Sequence, residues 1–200
     1  WESDWCSLRY AGWVLPEEIM LDKKQMRSII NDVLQKLGDK YAAPEALDLV
    51  YNTGLVESKY VYMMQKGGNN IARGFFQCEP WVAISLCKDY LQYRQKLMKN
   101  VAEICHLDWS YFNDPDEDKW RSVLTTNIIA QIVVCRLHYW RVPKKLPRTL
   151  EEMAHFWKDF YNTAKGSGTP AHFAEIVSKY GWCRENWPTN HCDEGITGTS

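Results

Sequence analysis

Apolar residues recur along this chain at spacings of three and four, the period of an α-helix that buries one face. Pro16 followed by Glu17 and Glu18 has the form of a helical first turn. Ile19, Met26, Ile29, Ile30, Val33, Leu34 and Leu37 then carry an apolar stripe to Gly38, enough for one or two helices. The same pattern predicts helices over 44–60, 80–104 and 117–140, and the last is apolar on both faces, which predicts a buried helix through the centre of the fold. Thr149-Leu-Glu-Glu152 reads as a capping box, in which the Thr hydroxyl and the Glu carboxylate cover free amides. A fifth helix is expected from there, carrying Met153, Phe156, Trp157 and Phe160 and stopping near Asn162. Gly166, Gly168 and Pro170 punctuate a loop before a last short helix through Phe173, Ile176 and Val177.

No segment sustains the alternation that a strand requires; the best place for a small hairpin is 60–77, around Gly67-Gly68-Asn69-Asn70. The expected fold is therefore all-α, or α with a very small β-hairpin. Residues 1–43 are expected to be a helical extension packed on the core, 44–182 the main domain, and 183–200 a polar surface tail. Pro143, Pro147, Lys144, Lys145 and Arg148 make a solvated connector between the fourth and fifth helices.

Composition narrows the partners. The 24 basic and 25 acidic side chains nearly cancel, so no overall field attracts a nucleic-acid backbone or an anionic membrane surface. The uncharged stretch 122–135 is shorter than a bilayer requires and contains Thr125, Thr126, Asn127 and Gln131, so no membrane-spanning segment is expected. Trp1–Tyr10 lacks the basic-then-apolar order of a signal peptide, and Trp1 in place of Met leaves the native start open. Seven cysteines cannot all pair within one chain. Cys87, Cys105 and Cys135 sit in apolar helical segments as free thiols do, which points to synthesis in a reducing compartment.

The most informative segment is Tyr51-Asn-Thr-Gly-Leu-Val-Glu57-Ser58. Leu47, Val50, Gly54 and Glu57 fall at spacings of three and four, which sets a carboxyl group on a core-facing stripe. Burying a carboxylate is costly, so such a group is either paired or has its pKa raised toward the range in which it donates a proton at neutral pH. The plain alternative is that Glu57 turns to solvent or pairs with Arg73.

Two further segments change the weighing. Ala72-Arg-Gly-Phe-Phe-Gln77 places Gly74 seventeen residues after Glu57, and Tyr161-Asn162 closes the fifth helix ahead of a Gly-containing loop. With Glu57-Ser58, Gly74-Phe75-Phe76-Gln77 and Tyr161-Asn162 in this order, the chain resembles the lytic transglycosylase and goose-type lysozyme superfamily over roughly 44–171. The family's motifs are a Glu-Ser at a helix end, a Gly-Leu-Met-Gln-like segment, and a Tyr-Asn before a glycine-rich turn. The resemblance implies a lysozyme-like, two-lobed helical domain whose cleft takes peptidoglycan glycan strands, with Glu57 as general acid/base. It also implies that Ser58, Gly74, Phe75, Gln77, Tyr161 and Asn162 bind substrate, Gly74 by letting the backbone approach a sugar. Phe75-Phe76 replaces the usual Leu-Met, and the turn reads Asn162-Thr-Ala-Lys-Gly166. The run 72–80 and the stretches 141–143 and 157–168 resemble proteins of tailed bacteriophages, which implies a virion setting with other virion proteins as further partners.

Rival chemistries lack their residues. Glu103-x-x-His106 and Glu152-x-x-His155 have the spacing of helical di-iron ligands, but 120–140 supplies no acid and Glu152 is a cap. Cys183, His191 and Cys192 lack a C-x-x-C spacing, so neither a metal nor any other cofactor is expected. No phosphate-cradling loop, H-E-x-x-H or G-x-S-x-G occurs. His138 is expected to be a hydrogen-bonded helix residue, Glu79 a surface carboxylate before Pro80, and Trp81 a candidate for stacking on a sugar ring. A catalytically inactive lysozyme-like module of a virion is the competing expectation, because a fold does not carry activity by itself.

Overall fold

A computed structural model describes residues 21–67, 70–164 and 166–181. The first turn expected at Pro16, the tail after 182 and the Cys183, His191, Cys192 group lie outside the described residues. The fold is all-α. Its helices are α1 (Lys23–Leu37), α2 (Pro44–Ser58), α3 (Pro80–Asp89), α4 (Gln95–Cys105), α5 (Ser110–Asn113), α6 (Glu117–Thr126), α7 (Ile128–Trp140), α8 (Leu150–Trp157) and α9 (Pro170–Tyr180). No helix among the described residues is long and apolar enough to cross a membrane.

α7 runs through the middle. All of its residues from Ala130 to Leu137 are buried, and α1, α2, α3, α4 and α6 pack around it. A single core cluster extends from Met26 and Ile30 of α1 to Phe173 and Val177 of α9. From residue 21 onward, the expected N-terminal extension therefore shares the core of the main domain. Arg27 and Asp48 add a 2.6 Å ion pair between α1 and α2.

Two expected long helices are each broken. Asn127 divides the run 117–140: its N–H bonds to Val123 and ends α6, while its Oδ1 accepts from the Ala130 N–H at 2.9 Å and caps α7. Its Nδ2 also donates to the Cys105 carbonyl at 2.8 Å, so the break is fixed to α4. An Asn side chain competes for nearby backbone amides, which makes it a cap more readily than a mid-helix residue. The run 80–104 breaks at Tyr90–Arg94, where both residues leave helical geometry and a 3₁₀ turn, Leu91–Tyr93, lies between them. The two halves have different neighbours: α3 packs on α6, and α4 on α1. The fifth helix begins at the Thr149–Glu152 capping box as expected, then widens to a π-helical turn over Lys158–Asn162.

No strand forms among the described residues. In place of a hairpin the 61–79 loop makes two isolated antiparallel bridges, Met64 with Arg73 and Arg73 with Cys78. Gln65 Oε1 accepts from the Ile71 and Ala72 amides, and the Arg73 guanidinium bonds the Asn70 and Ala72 carbonyls rather than Glu57. The side-chain bonds substitute for ladder bonds, so the loop is shaped without a sheet.

The four described cysteines, Cys78, Cys87, Cys105 and Cys135, are free and buried. Burial pushes the Cys87 and Cys105 thiols up to about 12, which keeps them protonated and unreactive.

Gly74 has a role other than the one expected. It is buried at φ +71°, and a Cβ there would come within 2.6 Å of the Leu124 carbonyl and 2.4 Å of the Gln131 side chain. Its lack of a side chain lets the loop press on α6 and α7. Gly74→Ala should therefore lower the unfolding free energy by about 2 kcal/mol or more, combining left-handed strain with overpacking, as read from urea denaturation. An unchanged midpoint with lost ligand binding would instead favour the sugar-facing role.

Candidate active site

Glu57 lies in the last turn of α2. The helix ends because Lys59 and Tyr60 adopt left-handed backbone angles, φ 51° and 56°, and the Lys59 N–H closes on the Leu55 carbonyl at 2.8 Å. Tyr60 then folds back over Gly54, where a Cβ would sit 2.6 Å from its hydroxyl, and donates to the Tyr51 carbonyl at 2.6 Å. Ser58 takes part in this stop: its Oγ donates to the Gly54 carbonyl and accepts from the Tyr60 N–H. It is buried and forms no part of the cleft wall.

The carboxyl group of Glu57 is surrounded by protein, although the side chain keeps an edge on solvent, and burial pushes its pKa up from 4.5 to about 7. A hydrogen bond from Trp157 Nε1 to Oε1, 2.8 Å long, pulls the other way. Desolvation wins because one neutral donor replaces only part of the hydration a carboxylate loses. The resulting group exchanges a proton near neutrality.

A cleft of about 540 Å³ opens in front of it. Gln77, Tyr161 and Asn162 line that cleft with Glu57, so four of the expected residues from three distant segments meet. Phe75 does not: it is buried against the Tyr60 ring at 5.7 Å, and its N–H donates to Gln131 Oε1 of α7 at 2.9 Å. Phe75, Ser58 and Gly74 thus hold the wall from behind. Gln77 stands at φ 45°, with its Nε2 donating to the Gly74 carbonyl, which turns the loop so that Gln77 reaches the cleft.

The π-helical turn sets the opposite wall. Tyr161 donates to the Phe76 carbonyl at 2.8 Å and stacks on Tyr139 with centroids 5.3 Å apart. Its hydroxyl is therefore occupied by the loop, and burial pushes its pKa well above the ordinary phenol range. Asn162 Oδ1 accepts from Lys158 Nζ at 2.8 Å, and the same ammonium group donates to the Gly166 carbonyl at 2.8 Å. Lys158 thereby fixes both Asn162 and the loop beyond it.

His138 lines the cleft yet is held neutral. Its Nε2 faces the Phe160 carbonyl at 2.8 Å and so must carry the proton, while Nδ1 accepts from Arg141 Nη2 at 3.2 Å. Burial, aided by the Arg141 charge, lowers its pKa to about 4. Glu79 and Trp81 form the outer rim, joined by a bond from Trp81 Nε1 to Glu79 Oε2 of 2.5 Å, with the indole 57 % exposed. Tyr62 lies along the same cleft beneath Lys66, whose Nζ is 3.4 Å from the ring centroid. A second recess of about 340 Å³ is lined by Glu57 and Asn162 together with Val56, Trp157, Thr169 and His172. Glu57 thus borders both recesses.

Trp157 and Lys158 were not legible as site residues from sequence. Trp157 precedes Tyr161 by four positions and so shares its helical side, but that spacing is also what core packing demands.

Compared with protein-family models, curated proteins and solved structures, the chain matches none.

The pKa shift carries a stability consequence. Between pH 4.5 and about 7 the folded chain binds more protons at Glu57 than the unfolded chain, so stability falls as pH rises through that window. Above it the buried carboxylate costs on the order of 3 kcal/mol, which neutral Gln would not incur. Glu57→Gln should therefore gain stability over the parent at pH 8 by about 2 kcal/mol more than at pH 5, measured by urea unfolding. An equal difference at both pH values would mean that the carboxyl is solvated. Trp157→Phe removes the donor and should move the Glu57 titration midpoint upward, as followed by the carboxyl ¹³C shift; a downward move would reverse the assigned role of the indole.

Proposed function

We propose that the protein cleaves the glycan strand of peptidoglycan at the MurNAc–GlcNAc linkage, as a lytic transglycosylase with Glu57 as its single acid/base. The observation that carries this reading is a carboxyl group of pKa about 7 on a residue that borders both a polar cleft and a second recess. A general acid is most effective with a pKa near the working pH, and glycosidic cleavage needs a protonated carboxyl beside the leaving oxygen. The ordered resemblance of Glu57-Ser58, Gly74–Gln77 and Tyr161-Asn162 supplies the substrate class. A phage particle as the setting, with other virion proteins as partners, is proposed on the sequence resemblance alone.

The chemistry balances without a second carboxylate. Glu57 gives its proton to the glycosidic oxygen as the C1–O bond breaks, and the substrate's 2-acetamido group or ring oxygen stabilises the cation. The sugar's 6-hydroxyl then attacks C1 and its proton returns to Glu57, leaving a 1,6-anhydro end and consuming no water. Glu79 is the only other carboxylate along the described cleft wall, and it lies exposed at the rim, bonded to Trp81. That position favours ring closure over hydrolysis.

Mass spectrometry of peptidoglycan strands incubated with the protein in ¹⁸O-labelled water should give anhydromuramic ends without label. Glu57→Gln should lower cleavage by 100-fold or more, on the order of a lost general acid, while the fold persists. Labelled reducing ends would convert the reading to a hydrolase. No fragments from several wall types would favour an inactive structural module, and undiminished cleavage by the variant would remove Glu57 from its role.

A further inference from the structure

A second concentration of unusual chemistry lies on α7 in a cavity whose wall shares no residue with the cleft. Arg136 is 1 % exposed, and its guanidinium packs over the Trp140 ring at 5.0 Å from the centroid and near Tyr41 at 5.9 Å. Nε donates to the Tyr41 carbonyl at 2.8 Å, but Nη2 is buried and has no hydrogen-bond partner. None of the ion pairs among the described residues includes Arg136, Lys40, Lys144 or Lys145. A buried guanidinium without a counter-ion is costly, and burial lowers its pKa to about 10. Such a group marks a site whose anion comes from elsewhere.

The surroundings fit one. Arg136 lines a cavity of about 420 Å³ together with Lys144 and Lys145 of the connector, and no carboxylate contributes to its wall. Tyr139, Trp140, Val142 and Leu146 make the rest of the wall largely apolar. Lys144 Nζ lies 4.8 Å from the Phe160 ring, so its ammonium is steered by an aromatic face. A guanidinium and two lysines in one wall match a dianion better than a single carboxylate, and a guanidinium fork matches phosphate geometry. The apolar wall calls for a body attached to the phosphate.

We propose that this cavity binds a phosphate monoester carried on a ring or short apolar body, with Arg136, Lys144 and Lys145 as its cationic contacts. The site is separate from Glu57, and the proposal is independent of wall cleavage. It also accounts for a pairing in the sequence: the Pro143-Lys-Lys-Leu-Pro147 connector holds two lysines between prolines, in the wall of the cavity that the buried arginine also lines.

Phenyl phosphate is the probe, with inorganic phosphate, benzoate and sodium chloride of matched ionic strength as comparisons. Phenyl phosphate should raise Tm saturably, by about 3 °C at tenfold excess over its midpoint, and should change tryptophan fluorescence. Inorganic phosphate and benzoate should act at higher concentration, and sodium chloride not at all. The exposed double variant Lys144→Glu, Lys145→Glu should fold normally, cleave or fail to cleave peptidoglycan as the parent does, and lose the response. Arg136→Met should also lose it. A rise of equal size with sodium chloride, a response retained by the double variant, or no response to any oxyanion would each overturn the site.

Discussion

α7 is enclosed by other helices, so its polar side chains meet partners inside the protein, although Gln131 Nε2 and Arg136 Nη2 find none. Three of them do so by holding separate segments of the chain. Gln131 accepts the Phe75 amide and fixes the loop that presents Gln77. His138 donates to the Phe160 carbonyl and fixes the π-helical turn that presents Tyr161 and Asn162. Arg136 donates to the Tyr41 carbonyl and fixes the turn between α1 and α2. Satisfying a buried hydrogen bond contributes only about 1 kcal/mol net, but leaving one unmade costs more, so each bond acts as a strong constraint on where its segment can sit. The cleft is assembled by the polar needs of a core helix.

Within that frame the ionisable groups at the cleft are set apart by environment. Glu57 is desolvated with one donor, and rises. His138 is desolvated beside a cation, and falls. Near pH 7 the carboxyl can exchange a proton while the imidazole stays neutral and structural, although by type alone His is the usual exchanger at that pH. The stack of Tyr139 on Tyr161, with Tyr139 bonded to Thr53 of α2, ties the wall opposite Glu57 to the helix that carries Glu57.

Arg136 belongs to the same helix and obeys the same rule only in part. One nitrogen is satisfied by backbone, the charge is not, and the connector beside it carries lysines rather than the acids that would neutralise it. The core of the protein thus accommodates a cost that a hydrophobic residue of similar volume would avoid.

The sequence alone determined that the chain is helical, that the run 117–140 holds a buried helix, that Thr149 caps the fifth helix, and that Glu57 falls near a helix end on the stripe of Leu47, Val50 and Gly54. These follow from periodicity and capping, which act over one or two turns. The carboxyl, Gln77, Tyr161 and Asn162 could be singled out because motif order survives in a linear chain. Tertiary structure alone decided that Asn127 and Tyr90–Arg94 break helices whose apolar patterns run on, since each half answers to different neighbours. It also decided that Ser58, Gly74 and Phe75 support the cleft from behind, and that Trp157 rather than Arg73 meets Glu57. Which face a loop turns to solvent, and which donor reaches a buried acid, depend on contacts between residues up to 100 positions apart, and no local spacing records them.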